Sequence, residues 1–130
     1  MDSVKKLIDR YDLDDPVGDN SVGVFENSVI QDLYNELIYH GEISLINALS
    51  VGRYIEEYDI FDIRHHIEET DKTDLIRVYE NLLEGSYNHL RSFVSVLEQQ
   101  DGTYNLETIL SLEEFNEILN GDKINRKGRN

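Results

Sequence analysis

Two long amphipathic segments, residues 44–69 and 73–100, follow each other with only Thr70-Asp71-Lys72 between them. Apolar side chains recur in both at about 100° per residue, which is the period of an α-helix with one buried face. A connection this short leaves the two helices side by side and antiparallel. The sequence therefore predicts a helical hairpin as the spine of the fold, with these residues packed between its two helices: Leu49, Gly52, Ile63, Tyr79, Leu83 and Phe93.

Shorter helices flank the predicted hairpin. Apolar spacing predicts helices at 2–11 and 28–40, and Ser28-x-x-Gln31 and Ser111-x-x-Glu114 have the spacing of capping boxes, the second of which opens a short last helix. Gly52 lies on the inner face of the first long helix, where glycine costs about 1 kcal/mol against alanine, so it predicts the close approach of another helix. No strand pattern competes with these helices, and the predicted fold class is an all-α helical bundle.

The length of 130 residues is enough for one domain with its own core. We expect this domain to cover residues 1–120 and to be followed by a disordered basic tail at 121–130, which holds Lys123, Arg126, Lys127 and Arg129. Cysteine is absent, which excludes disulfides, thiolate metal ligands and a cysteine nucleophile.

The charge of the chain is strongly negative, with 27 acidic against 12 basic residues and a net charge of −15. A body of this charge repels nucleic acid and anionic lipid, so we expect neither as a partner. No run approaches the roughly 18 apolar residues of a membrane span, and no signal peptide precedes the first charges at Asp2, Lys5 and Lys6. The predicted location is the cytoplasm.

Three polar residues fall on or beside the predicted inner faces. Glu56 and Asp59 are three residues apart on the first long helix, which places both carboxylates within reach of one cation, and His89 lies at the edge of the apolar stripe of the second helix. Inward acids and a histidine form metal sites in some bundles and plain buried polar networks in others. Two interpretations stay open: a site for iron or another divalent metal on Glu56, Asp59 and His89, or hydrogen-bonded acids in the core or at a subunit interface. Glu57 points about 100° away from Glu56 and is expected to be exposed.

No catalytic motif in the sequence distinguishes between these two interpretations. The sequence contains no Gly-rich phosphate loop, no nucleophile elbow and no His-Glu-x-x-His. No reaction can be assigned from a motif.

Five segments in a fixed order resemble a prokaryotic ferritin-like family known as domain of unknown function 2202. They are LDDPV at 13–17, VGVF at 22–25, ALSVG at 48–52, IEEYDIFD at 55–62 and YENLLEGSYNHLRSF at 79–93. Any one of them alone is a weak signal, but their combination is specific, and the similarity extends from Met1 to about Phe115.

The resemblance implies a ferritin-like four-helix core, with possible metal sites on inward carboxylates and histidines, and it implies no known reaction. By this resemblance, members of the family carry a further helix with a glutamate, followed by a helix with a Glu-x-x-His motif. Both precede the segment that matches Met1-Asp2-Ser3-Val4. The resemblance therefore implies that this chain is truncated at the N-terminus and lacks half of a di-metal site. It also departs at Ser86, where ferritins place a glutamate three residues before the histidine that corresponds to His89.

The expected function is a structural or interaction role without established catalysis. The alternative is a metal-binding, di-iron-type oxidoreductase or iron-handling domain with Glu56, Asp59 and His89 as ligands. A di-iron site needs about four carboxylates and two histidines, so we expect no stoichiometric di-iron centre in the purified chain. We also expect a homodimer, because two long helices with few others to cover them leave an apolar groove for a second copy.

Overall fold

The computed structural model describes residues 2–103 and 106–127, with the backbone alone for 122–127. It contains five helices: α1 (Asp2–Arg10), α2 (Ser28–Gly41), α3 (Leu45–Glu69), α4 (Thr73–Gln99) and α5 (Leu112–Lys127). No strand occurs within those residues. The predicted all-α class is therefore confirmed, and each of the predicted helices is present.

Helices α3 and α4 form the predicted antiparallel hairpin. Gly52 lies against Phe93, and His66, further along α3, lies against Tyr79, which comes earlier on α4. Contacts that advance along one helix and recede along the other define an antiparallel pair. A Cβ atom at Gly52 would overlap the ring of Phe93, so the close approach predicted from this glycine is confirmed.

The buried face of α3 differs from the predicted one. Leu45 and Ile55 share the apolar period of residues 44–69, which predicts that both face inward, but they are 60% and 40% exposed. The buried stripe instead contains Ser50, Arg53, Glu57 and Ile60, and Val51, which is also buried, lies near Gly41 of α2. The reason is that the segment before α5 and α5 itself cover this side of the hairpin. The resulting core combines residues of three helices and the loop: Ile60, Leu90, Val94, Leu110, Phe115 and Ile118.

Helix α5 is fixed to the hairpin by a capping box and by arginine. The box predicted at Ser111-x-x-Glu114 is present: the backbone N–H of Glu114 donates to Ser111 Oγ at 3.2 Å, and that of Ser111 donates to Glu114 Oε2 at 3.0 Å. Arg64 pairs with Glu114 at 3.1 Å, and Arg91 donates to the carbonyl of Ile118 at 2.7 Å. These bonds hold α5 over the buried stripe of α3.

The last helix extends further along the chain than the sequence predicts. Helix α5 continues to Lys127, past Asn120-Gly121, where the sequence predicts the fold to close. The predicted division into a domain at 1–120 and a basic tail at 121–130 stays a prediction, and residues 128–130 lie outside the described residues.

The residue that caps the N-terminus of α2 differs from the predicted one. The cap is Asn27, whose side chain accepts from the N–H groups of Val29 and Ile30, and not Ser28 as the capping box predicts. We expect Asn27→Ala to lower the free energy of unfolding by about 1 kcal/mol, because two N–H groups lose their acceptor. Ser28→Ala is the matched control and should change it by less than about 0.5 kcal/mol. Urea unfolding of both variants measures this, and an equal or larger loss for Ser28→Ala would contradict the assignment.

Candidate functional site

A groove between α3 and α4 holds two of the predicted site residues. Its volume is about 440 Å³, and it is lined by Leu49, Glu56, His89, Ser92, Phe93 and Val96. Glu56 and His89 face each other across the two helices, with Glu56 Oε1 3.2 Å from His89 Nδ1. The side chain of Glu56 is only 12% exposed, whereas that of His89 is 67% exposed. The pair therefore joins a mostly buried acid to a histidine at the surface of the groove.

The second carboxylate oxygen of Glu56 lacks a partner. Oε2 is buried and accepts no hydrogen bond from any described residue. A buried polar atom without a hydrogen bond costs about 1–3 kcal/mol, and more when it carries charge. Native proteins satisfy nearly all such atoms, so the missing partner of Oε2 is an unusual feature of this side of the groove.

Asp59 lies one turn after Glu56 and is less well placed for a shared site. Its side chain keeps contact with solvent. Partial burial, followed by the negative charges of Glu56 and Asp62, raises the pKa of the Asp59 carboxyl, and His89 opposes this shift. No hydrogen-bond donor contacts Asp59 among the described residues. It therefore shares the electrostatic field of the Glu56–His89 pair without being bonded to it.

The three candidate metal ligands do not form a metal-binding cluster in this arrangement. Among residues 2–103 and 106–121, whose side chains are described, no three His, Asp or Glu residues are grouped so that they could hold an ion. The other pair of histidines lies elsewhere on α3, where His65 and His66 are exposed and both contact Glu69, at 3.2 and 3.3 Å. The structure thus brings Glu56 and His89 together and leaves Asp59 beside them.

A buried ion pair on α3 was missed by the sequence analysis. Glu57, predicted to be exposed, is fully buried and is bonded to Arg53, which is also fully buried. Arg53 Nη2 donates to the carbonyl of Leu106 at 2.7 Å, and Glu57 Oε1 accepts from the N–H of Leu110 at 3.1 Å. The pair therefore supplies hydrogen bonds to the loop before α5, whose backbone has no helix or strand to supply them. Its role is to hold this loop, and it lies outside the groove.

The raised pKa of Asp59 predicts a pH-dependent change in stability. A raised pKa means that the folded state disfavours the ionised form, so the penalty is present near neutral pH. It disappears as the pH falls through the raised pKa toward the ordinary value of 3.8, because the carboxyl is then protonated in both states. Asp59→Asn should therefore raise the free energy of unfolding at about pH 7, by less than about 1 kcal/mol because solvent screens this group, and the gain should vanish near pH 3.

Urea unfolding at the two pH values checks this expectation. Asp62→Asn is the control, since Asp62 lies three residues further along the same helix and is exposed. A gain for Asp59→Asn that grows toward low pH would contradict the assigned cause.

Comparison with known proteins places the chain among uncharacterized relatives. A family model described as an uncharacterized protein domain (DUF2202) matches residues 1–122. The uncharacterized protein MJ0754 of Methanocaldococcus jannaschii is 44% identical over 119 residues, which are 92% of this chain and 64% of the relative. The chain thus spans about two thirds of the length of that relative.

A solved structure has the same fold. The crystal structure of hypothetical protein MJ0754 from Methanococcus jannaschii superposes with a TM-score of 0.86 at 43% sequence identity, and the match covers 92% of this chain and 67% of that one. Within the described part of this chain, no helix is long and apolar enough to cross a membrane.

Proposed function

The chain belongs to the DUF2202 family of uncharacterized protein domains, and we propose that it is a helical interaction module whose α3–α4 groove docks a second copy of the chain. The proposal assigns a structural role to the groove and no catalytic step. It includes a ferritin-like arrangement of the helices, which the long antiparallel hairpin of α3 and α4 supports.

The observation that carries the proposal is the orphaned oxygen of Glu56 in an apolar groove. Leu49, Phe93 and Val96 line the groove beside it, and Leu45, one turn before Leu49, is 60% exposed. Apolar surface on a soluble domain commonly marks an interface. A partner that brings apolar side chains and one hydrogen-bond donor would bury this surface and satisfy Glu56 Oε2.

A second copy has both of these features. In a two-fold dimer the same surface meets itself, so the apolar rim of one groove covers that of the other. His89 is exposed, and with both ring nitrogens protonated its Nδ1 atom donates to Glu56 of its own chain while its Nε2 atom can donate to Glu56 of the second copy. Each Glu56 would then accept one hydrogen bond from His89 of its own chain and one from His89 of the other chain.

The charge of the chain sets how such a dimer responds to salt. Two chains of −15 each repel one another, so the apolar contact has to overcome that repulsion. Added salt screens like charges and leaves apolar burial in place. The dimer should therefore become tighter as the salt concentration rises, whereas an assembly held by opposite charges should become weaker.

The same acidic charge argues against nucleic acid as a partner, and a chain without cysteine is compatible with the reducing cytoplasm that we propose as its location.

Sedimentation velocity over about 1 to 100 μM protein tests the proposal. We expect a species of twice 15.1 kDa whose proportion rises with protein concentration and with salt between about 0.05 and 0.5 M. A 15.1 kDa monomer throughout this range would rule out the dimer.

A metal-binding domain is the second candidate function, and the same orphaned oxygen favours it. In this function Glu56 and His89 would hold one divalent cation, with groups from outside the chain as its other ligands, and the cation would favour the ionised form of the nearby Asp59, whose pKa is raised first by burial and then by neighbouring acids. A di-iron centre does not fit the described residues, because they supply one histidine and two acids where about four carboxylates and two histidines are needed. The candidate is therefore one weakly held ion.

Metal analysis of the purified chain after mild chelation tests this second function. One divalent ion per chain that is lost in Glu56→Ala would support it. Two tightly held iron ions lost together would instead overturn our expectation that no di-iron centre forms.

A further inference from the structure

A small pocket between α2 and α3 shares no lining residue with the groove, and Asp59 in its wall lies one turn after Glu56. Its volume is about 260 Å³, and its wall includes Phe25, Tyr34, Leu37, Tyr54, Tyr58 and Asp59. We call it the tyrosine pocket. All of its lining residues are aliphatic or aromatic except Asp59. An apolar cavity with a few converging polar groups is the usual form of a small-molecule site.

The wall of the tyrosine pocket is held in place without a ligand. The N–H of Phe25 donates to Gln31 Oε1 at 2.9 Å, and Gln31 Nε2 donates to the carbonyl of Gly23 at 3.0 Å. Gly23 has a positive φ of +82°, and a Cβ atom there would lie 2.7 Å from the hydroxyl of Tyr34. The rings of Phe25 and Tyr34 are 5.3 Å apart. The loop is therefore fixed against α2, and a ligand would enter a pocket that already exists.

The polar groups of this wall have no hydrogen-bond partner among the described residues. None of the described residues forms a hydrogen bond with the hydroxyl of Tyr34, Tyr54 or Tyr58, or with the carboxylate of Asp59. The carboxylate is the only ionisable group of the wall with a charge at neutral pH. Partial burial, and then the negative charges of Glu56 and Asp62 on the same helix, raise the pKa of this carboxyl, and His89 opposes the shift.

We propose that the tyrosine pocket binds a small organic cation, an ammonium group attached to a single aromatic ring or a short alkyl body. The ammonium would pair with Asp59 and lie against the electron-rich faces of the tyrosines. The apolar body would fill the slot between α2 and α3. Anions are excluded by Asp59 and by the net charge of −15, and neutral molecules gain only the apolar contact.

The volume limits the size of the ligand. A cavity of about 150 Å³ is known to hold one benzene molecule. A pocket of 260 Å³ therefore accommodates one ring with a short side chain and excludes larger, multi-ring molecules.

A set of three probes of nearly equal shape tests the proposal: 2-phenylethylammonium, 2-phenylethanol and phenylacetate. Chemical-shift titration of the isotope-labelled chain should show saturable binding of the ammonium compound below about 10 mM, about tenfold tighter than the neutral alcohol, and no binding of the carboxylate. The shifted amides should belong to residues around the pocket in α2 and α3. Equal affinity for the ammonium and the alcohol, or no saturation, would overturn the proposal.

Two variants distinguish binding to the Asp59 carboxylate from general attraction of a cation to an acidic protein. Asp59→Asn should reduce the affinity for the ammonium probe to about that for the alcohol, whereas Asp62→Asn, which removes the same charge from a position on the same helix that does not line the pocket, should leave most of the preference. The ammonium probe should also lower the pKa of Asp59, because a bound cation favours the ionised carboxyl, and the alcohol should not. An equal loss in both variants would show general attraction to an acidic protein and would contradict a site.

Discussion

Glu57→Ala should lower the free energy of unfolding by about 3–5 kcal/mol, the largest effect that we expect from a single substitution in this chain. The variant leaves the guanidinium of Arg53 fully buried without its carboxylate, and it also leaves the N–H of Leu110 without an acceptor. Urea unfolding followed by circular dichroism measures the loss. The spectrum near the midpoint should also show that the loop and α5 are lost with the rest of the core, because Leu110 and Phe115 belong to it.

A double variant shows what the pair contributes. Replacing both partners, as in Arg53→Met with Glu57→Leu, removes both charges together, so its loss should be well below the sum of the losses of Arg53→Ala and Glu57→Ala. It should still be destabilised by about 2 kcal/mol, because the carbonyl of Leu106 and the N–H of Leu110 lose their partners.

An exposed pair with the same spacing is the control. Lys5 and Asp9 are also four residues apart on a helix, at 3.1 Å, but their side chains are 58% and 65% exposed. Asp9→Ala should therefore lower the free energy of unfolding by less than about 0.5 kcal/mol. A similar loss for Asp9→Ala and Glu57→Ala would mean that burial of the Arg53–Glu57 pair has no energetic consequence, which would contradict its assigned role.

Val96→Glu should weaken the proposed dimer by at least about 100-fold. Val96 lines the groove on α4 and is 38% exposed, so the substitution introduces a charge into the contact with little loss of packing in the monomer. In the dimer that carboxylate would be buried next to the orphaned oxygen of Glu56 in an already acidic protein. Sedimentation equilibrium gives the dissociation constant.

Leu112→Glu is the matched control for this prediction. Leu112 is 76% exposed, and it does not line the groove, so the variant adds the same charge and removes a similar apolar side chain elsewhere. It should change the dissociation constant by less than about threefold, which is the effect of one further negative charge. If Leu112→Glu weakened association as strongly as Val96→Glu, the groove would not be the contact surface.

The hairpin could be predicted from the sequence because its signals are local and repeated. Apolar side chains recur along both segments, the turn is very short, and Gly52 indicates a close contact that the ring of Phe93 provides. The facing of Glu56 and His89 follows from the same pattern, since an antiparallel register that pairs Gly52 with Phe93 also pairs Glu56 with His89.

The buried face of α3 could not be found in this way because it is largely polar. Ser50, Arg53, Glu57 and Ile60 lie at spacings of 3, 4 and 3 along the helix, but only Ile60 is apolar. Hydrophobic periodicity instead predicts that the stripe with Leu45 and Ile55 is buried, and the fold leaves both residues exposed. The spacing of Arg53 and Glu57 is the one available signal. Its meaning depends on the loop before α5, whose position is set by tertiary contacts.

The tyrosine pocket and the cap of α2 were missed for a related reason. Both depend on how the loop at 22–25 folds back, and this is fixed by Gln31, a residue that the sequence suggests as part of a capping box. A side chain with two hydrogen-bonding ends can serve a cap or a loop, and local sequence does not distinguish them.

The central claim, that the face with Glu56 is a contact between two copies, is tested most directly by a spin label at its edge. The chain has no cysteine, so Ser95→Cys gives one attachment site beside the groove. Mixed with an isotope-labelled, otherwise unmodified chain, the labelled copy should broaden the amide signals of Leu49, Glu56 and Val96 in the other copy, and a label at Glu113→Cys should not. Absence of this broadening at concentrations where sedimentation shows a dimer, or broadening around α5 instead, would contradict the claim.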